Sequence, residues 1–129
     1  MKKPGLAAVK LHTSDLAASE AFFTQVFGFA PTHRYGGGPA DAMEEVVMTL
    51  RGEEGMQLKF VTYPGVAAPP VGEATIQIVV PDVDAAVAAA TAQRAVVQMP
   101  ATDYPEADVR MAVIATEQGH AVEVVQVIG

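Results

Sequence analysis

The 129-residue sequence contains no cysteine and no tryptophan, and basic residues are scarce. Without cysteine, disulfides, iron–sulfur clusters, thiolate zinc sites and thiol nucleophiles are excluded. The 8 basic residues against 15 acidic ones leave a net charge of −7, which repels phosphate backbones and argues against a nucleic-acid partner. No apolar run reaches the ~20 residues of a membrane span, and the start lacks a signal peptide's apolar core. We therefore expect a cytoplasmic protein with no membrane partner, whose acidic surface either favours cationic ligands or only aids solubility.

One strand-then-helix pattern occurs twice, and Asp82 lies 67 residues after Asp15. Before each aspartate, apolar and polar residues alternate as in a half-buried strand. Each aspartate is a suitable N-cap for the helical stretch that follows, at about 16–27 and 83–93. A duplication predicts two matching half-structures with a cleft between them.

The remaining segments complete the two modules. Strands are predicted at about 7–13, 29–34, 43–51, 56–63, 74–80, 95–99, 109–116 and 120–127, with a strand end at Pro100 and a loop over 102–108. A proline- and glycine-rich linker, 64–72, joins a first module, 1–63, to a second, 73–129. Each module has the predicted element order βαβββ. The predicted fold is α+β, with two tandem modules forming a curved mixed sheet around a cleft and helices on its outer face.

Strand alternation assigns side chains to the cleft. In the fourth strand the even-numbered positions are apolar, which leaves Gln57 and Lys59 facing the cleft. In the last strand Val122 and Val124 turn toward the helices and place Glu123 on the cleft side. If both face the cleft, Lys59 and Glu123 form an ion pair there. The alternative is that each is separately solvated.

The first helix and its flanks carry a motif, Asp15-Leu16-x-x-Ser19-x-x-Phe22-Phe23-Thr24-x-Val26-Phe27-Gly28-Phe29. This motif resembles the glyoxalase/bleomycin-resistance/extradiol-dioxygenase group, the vicinal oxygen chelate superfamily. The resemblance continues to residues 119–125, although the family's usual Asp-Pro-x-Gly turn is replaced here by Thr116-Glu117-Gln118-Gly119. It implies the two-module fold, a small-molecule ligand and a homodimer.

Members of that family typically hold a metal with four side chains from the first and last strands of each module. The resemblance assigns these positions to Ala8, Lys59, Thr75 and Glu123. Alanine has no donor atom, an ammonium has no lone pair, and threonine is a poor ligand, so only Glu123 fits. We therefore expect no metal and no other cofactor.

The resemblance and the alternation together give a set of cleft-lining candidates. They are Lys10, His12, Gln57, Lys59, Thr75, Gln77 and Glu123. His12 either contacts ligand, acts in catalysis or has a structural role, whereas His120, at a turn, is predicted to lie on the surface.

The predicted function is metal-independent binding of a small organic molecule, and whether any reaction is catalysed stays open. The absence of tryptophan weakens the case for bleomycin-type sequestration, because flat ligands favour aromatic stacking. One alternative is a metal-dependent lyase, isomerase or dioxygenase that uses Glu123. Another is a structural or interaction module without a ligand.

Overall fold

The computed structural model describes residues 7–50, 56–69 and 74–129, and the chain divides into two compact units between residues 69 and 70. The first unit contains β1 (Ala8–His12), α1 (Leu16–Phe27), β2 (Phe29–Gly36), β3 (Glu44–Leu50) and β4 (Gln57–Thr62). The second contains β5 (Thr75–Val79), α2 (Val83–Ala92), β6 (Val96–Tyr104), a 3-10 helix (Pro105–Ala107), β7 (Val109–Ala115) and β8 (Ala121–Val127). The residues between the predicted strands 43–51 and 56–63, and residues 70–72 of the predicted linker, lie outside the described residues.

Each unit has its own four-stranded mixed sheet. The strand orders are β1-β4-β3-β2 and β5-β8-β7-β6. In both units the first strand runs parallel to the last, and the other neighbours are antiparallel. The predicted α+β fold of two tandem βαβββ modules is confirmed. The strands predicted to share one sheet form two, because each first strand pairs with the last strand of its own unit.

The two helices begin with the same cap. The Asp15 carboxylate accepts a hydrogen bond from the backbone N–H of Ala18 at 3.0 Å, and the Asp82 carboxylate accepts one from Ala85 at 3.1 Å. Each bond satisfies a donor that the first helical turn leaves without a partner. The helix ends differ, since α1 stops at Gly28, whose φ of +81° suits glycine, and α2 stops at Gln93.

A hydrophobic core lies between the helix and one face of the sheet in each unit. In the first unit the Phe23 ring lies 5.1 Å from the Phe60 ring, and both side chains are fully buried. In the second unit the helix contributes small residues, Val83, Ala86 and Ala90, against Val122 and Val124. Burial of these apolar side chains stabilises each unit and leaves the opposite sheet face for other chemistry.

Strand β6 is longer than predicted. It continues through Pro100 to Tyr104, and the 3-10 helix follows where a loop was expected. Proline is tolerated because β6 is an edge strand whose pairing register shifts between Met99 and Thr102. Among the described residues, no helix is long and apolar enough to cross a membrane.

Candidate functional site

The sheet face opposite α1 in the first unit, here called the polar face, carries most of that unit's candidate residues. Pairing places Lys10 beside Lys59, and Lys59 beside Val47. The next equivalent row places His12 beside Val61. The polar face consists of Ala8, Lys10, His12, His33, Tyr35, Glu45, Val47, Thr49, Gln57, Lys59 and Val61, as register and alternation place them, together with Tyr63, whose ring lies beside that of His12.

A short ion pair joins Lys10 to Glu45 across β4. The Lys10 Nζ lies 2.6 Å from the Glu45 Oε1, and the Glu45 side chain is only 5% exposed against 46% for Lys10. The hydrogen bond from the ammonium to the carboxylate raises the pKa of Lys10. Lys10 is therefore a cation at neutral pH, and it neutralises an acid held in the interior.

Glu45 is a site residue that the sequence reasoning missed. The neighbouring acids Glu44 and Glu45 point to opposite faces of β3, so they do not form a dyad with each other. The sequence indicates burial of Glu45, because this residue directly precedes the apolar run Val46-Val47-Met48. In the structure the next four residues of β3 are buried. A buried acid requires a partner, and strand order supplies Lys10.

Lys59 lies in the same row as Lys10 on the adjacent parallel strand, and it is half-buried. The ion pairs within the described part of the first unit are Lys10–Glu45 and Arg34–Glu20. Lys59 therefore has no acidic partner among the described residues of its own unit.

Two pairs of aromatic rings lie on the polar face near Lys10 and Lys59. The His12 ring lies 5.0 Å from the Tyr63 ring, and the His33 and Tyr35 rings stack 6.1 Å apart with an angle of 7°. His12, His33 and Tyr35 are exposed, and Tyr63 is half-buried. The polar face thus combines ammonium groups with rings that carry hydrogen-bonding atoms.

The equivalent face of the second unit has different chemistry. Gln77 pairs with Glu123 in register, as Lys10 pairs with Lys59, so Lys59 and Glu123 occupy equivalent positions. The Gln77 Nε2 donates a hydrogen bond to the Glu123 Oε1 at 2.6 Å, and Thr75 is exposed at the start of β5. The proposed Lys59–Glu123 pair stays a prediction. The neighbouring positions on this face are apolar, namely Val79, Met99, Met111, Val113 and Val125.

The prediction that His120 lies on the surface is wrong, because this histidine is only 5% exposed. Its backbone N–H donates to the Thr116 Oγ1 at 3.1 Å, and its carbonyl accepts from the Thr116 N–H at 2.9 Å. These two bonds of the His120 backbone close the turn that ends at this residue. Burial lowers the pKa of His120.

The sequence model of the Glyoxalase/Bleomycin resistance protein/Dioxygenase superfamily matches residues 5–124. The chain belongs to this superfamily. The predicted resemblance is confirmed, whereas no curated protein matches the sequence.

Several solved structures share this fold. A glyoxalase family protein from Bacillus cereus is 18% identical with a TM-score of 0.82, over 100% of this chain and 97% of that one. Trypanothione-dependent glyoxalase I from Leishmania major is 21% identical with a TM-score of 0.78, over 96% and 87%. TnmS3, an antibiotic-binding protein from a Streptomyces species, is 18% identical with a TM-score of 0.71, over 98% of each chain. A maize glyoxalase I variant is matched over 94% of this chain but only 45% of its own length.

The side chains at the positions that the resemblance assigns to metal ligands do not fit a divalent ion. Ala8 has no donor atom, and the Lys59 ammonium only donates hydrogen bonds. Glu123 is the one carboxylate of the set, and it already accepts a hydrogen bond from Gln77. Across residues 7–50, 56–69 and 74–129, no three His, Cys, Asp or Glu side chains are grouped to hold a metal.

Proposed function

We propose that this chain is a metal-independent member of the superfamily that binds a small organic molecule. The observation that carries the proposal is the row Lys10–Lys59, since an ammonium occupies the position equivalent to the carboxylate of Glu123. A lysine at this position holds an anionic or hydrogen-bonding group of a ligand, which a metal ion would otherwise do.

The candidate ligand contacts lie on the sheet face opposite the helix in each unit. They are Lys10, His12, Gln57 and Lys59 in the first unit and Thr75, Gln77 and Glu123 in the second. The donors and acceptors of either set suit the polar atoms of a small ligand. The antibiotic-binding neighbour from Streptomyces supports binding rather than turnover as the activity. The proposal keeps the expectations of a homodimer and of a cytoplasmic location.

Metal analysis of purified protein tests the first half of this proposal. After a chelator wash, we expect less than stoichiometric zinc, nickel, manganese and iron. Stoichiometric metal retained by the unaltered protein would overturn the proposal in favour of a metal-dependent enzyme.

Native mass spectrometry of the protein as purified, together with thermal-shift screening of organic molecules, tests the second half. Ligand-induced stabilisation follows from binding to the folded state alone. We expect Lys59→Met and His12→Ala to reduce the shift. Arg94→Gln is the matched control, since the Arg94 side chain is 79% exposed and paired with Glu117. A protein that no organic molecule stabilises would support a structural or interaction module instead.

A further inference from the structure

We propose that the polar face of the first unit binds the carboxylate of a small aromatic acid, with Lys59 as its main cation. This inference rests on the proposed function and names the ligand class. It follows from the charges on one sheet face and from the rings beside them.

Two like charges occupy one row of the sheet. Lys10 and Lys59 are register partners on parallel strands, so their side chains leave the same face side by side. Two neighbouring ammonium groups repel each other unless a counter-charge lies close to them. A bound anion supplies that counter-charge.

Glu45 neutralises only one of the two lysines. Its Oε1 lies 2.6 Å from the Lys10 Nζ, which ties that ammonium to β3. The described polar face then has two lysines and one acid, a net charge of +1, in a chain whose net charge is −7. A local cation in an acidic protein selects a compact anion more readily than a polyanion, because the surrounding field repels large negative charge.

The rings next to this charge favour a flat ligand. His12 lies two residues from Lys10 along β1, and its exposed imidazole contacts the Tyr63 ring at 5.0 Å. Flat apolar groups pack well against such rings, and the imidazole also donates a hydrogen bond. A carboxylate on Lys59 with an aromatic body against His12 and Tyr63 uses both features.

Three molecules of one shape and different charge test the inference. Benzoate, benzamide and benzamidine carry charges of −1, 0 and +1 on nearly the same planar frame. We measure their affinities for the full-length protein by calorimetry or ligand-observed NMR at low salt. We expect benzoate to bind at least tenfold more tightly than benzamide, and its affinity to fall as salt rises.

Variants then assign the charge to its residue. We expect Lys59→Met to weaken benzoate binding at least tenfold and to leave benzamide binding unchanged, whereas Lys59→Arg keeps most of the affinity. Arg94→Gln, which removes a positive charge from the second unit, should leave benzoate binding unchanged. The comparison of benzoate with benzamide needs no variant, so it holds even if Lys59→Met does not fold.

The possible failures are distinct. Equal affinities for benzoate and benzamide, or a preference for benzamidine, overturn the anion site and leave the proposed small-molecule function standing. Unchanged benzoate binding in Lys59→Met, with equal losses of stability in Lys59→Met and Glu123→Gln, overturns it in favour of the Lys59–Glu123 pair. Binding of none of the three overturns it too, and the proposed function also fails if no organic molecule co-purifies or stabilises the protein.

Discussion

The Lys10–Glu45 pair makes a quantitative prediction about stability. Lys10→Met removes the ammonium but leaves the Glu45 carboxylate in a side chain that is only 5% exposed. A buried charge without a partner is costly, so we expect this single change to destabilise the protein more than the loss of an exposed ion pair.

The size of the effect follows from distance and exposure. At the 2.6 Å between Nζ and Oε1, Coulomb's law gives about 6 kcal/mol at an effective dielectric constant of ~20 and about 1.6 kcal/mol in bulk water. The 46% exposure of Lys10 allows water to screen the pair. The cost of desolvating the carboxylate offsets a further part of this Coulomb energy. We expect a coupling energy of about 1–2 kcal/mol, and a loss of about 2–3 kcal/mol for Lys10→Met alone.

A double-mutant cycle measures the coupling energy. Urea unfolding of the unaltered protein, Lys10→Met, Glu45→Gln and the double variant gives the four free energies of unfolding. The control cycle uses Arg34 and Glu20, which form a bidentate but more exposed pair with 55% and 21% exposure. That cycle should give about 0.2–1 kcal/mol. A coupling between Lys10 and Glu45 no larger than in the control would refute the reasoning.

The pH dependence of the same coupling has a definite sign. The carboxylate raises the pKa of Lys10 above its usual value. The stabilisation is therefore fully present below about 10.4, the ordinary pKa of lysine, and is lost as the pH rises through the raised value. The coupling energy measured at pH 9 should equal that at pH 7, and a decline between them would contradict the assignment.

Two further predictions concern His120 and the helix caps. Burial lowers the pKa of His120 in the folded state. As the pH falls below about 6.5, the ordinary pKa of histidine, the unfolded state therefore binds more protons than the folded state. The free energy of unfolding should then decrease by at most about 1.4 kcal/mol per pH unit. Unfolding at several pH values should show this slope reduced in His120→Gln but not in the control His33→Gln, and an equal slope in both variants would contradict it. For Asp15 and Asp82, alanine should cost about 1 kcal/mol at each cap and asparagine much less. Thermal unfolding measures both costs, and equal losses for alanine and asparagine would exclude the capping role.

Local patterns predicted most of the fold. The predicted helix at 16–27 coincides with α1, Leu16–Phe27, because the Asp15 cap and the Gly28 stop both lie within a turn of the helix. Period-two alternation placed Gln57 and Lys59 on the face opposite Leu58 and Phe60, as the burial pattern of β4 confirms. Interactions of this kind are set by neighbours in sequence, so the sequence displays them directly.

The parts that could not be predicted depend on strand order. Lys10 reaches Glu45 only because β4 lies between β1 and β3, an arrangement that no local pattern specifies. The sequence predicts a strand end at Pro100, because proline cannot donate a hydrogen bond to a neighbouring strand. An edge strand with a register shift accommodates the proline. His120 follows the turn residue Gly119, a position that predicts exposure, and its burial to 5% exposure depends on packing that no local pattern specifies.

The duplication separates the fold from the chemistry. In both units the buried side of the first and last strands is apolar, with Leu58 and Phe60 in β4 matched by Val122 and Val124 in β8. Changes on that side are costly because each removes buried apolar area. The register pairs on the opposite side of these strands do not belong to that apolar core. They are Lys10 with Lys59 in one unit and Gln77 with Glu123 in the other. The frame is therefore retained while the charge of the row diverges, and experiments on function should be directed at these two rows.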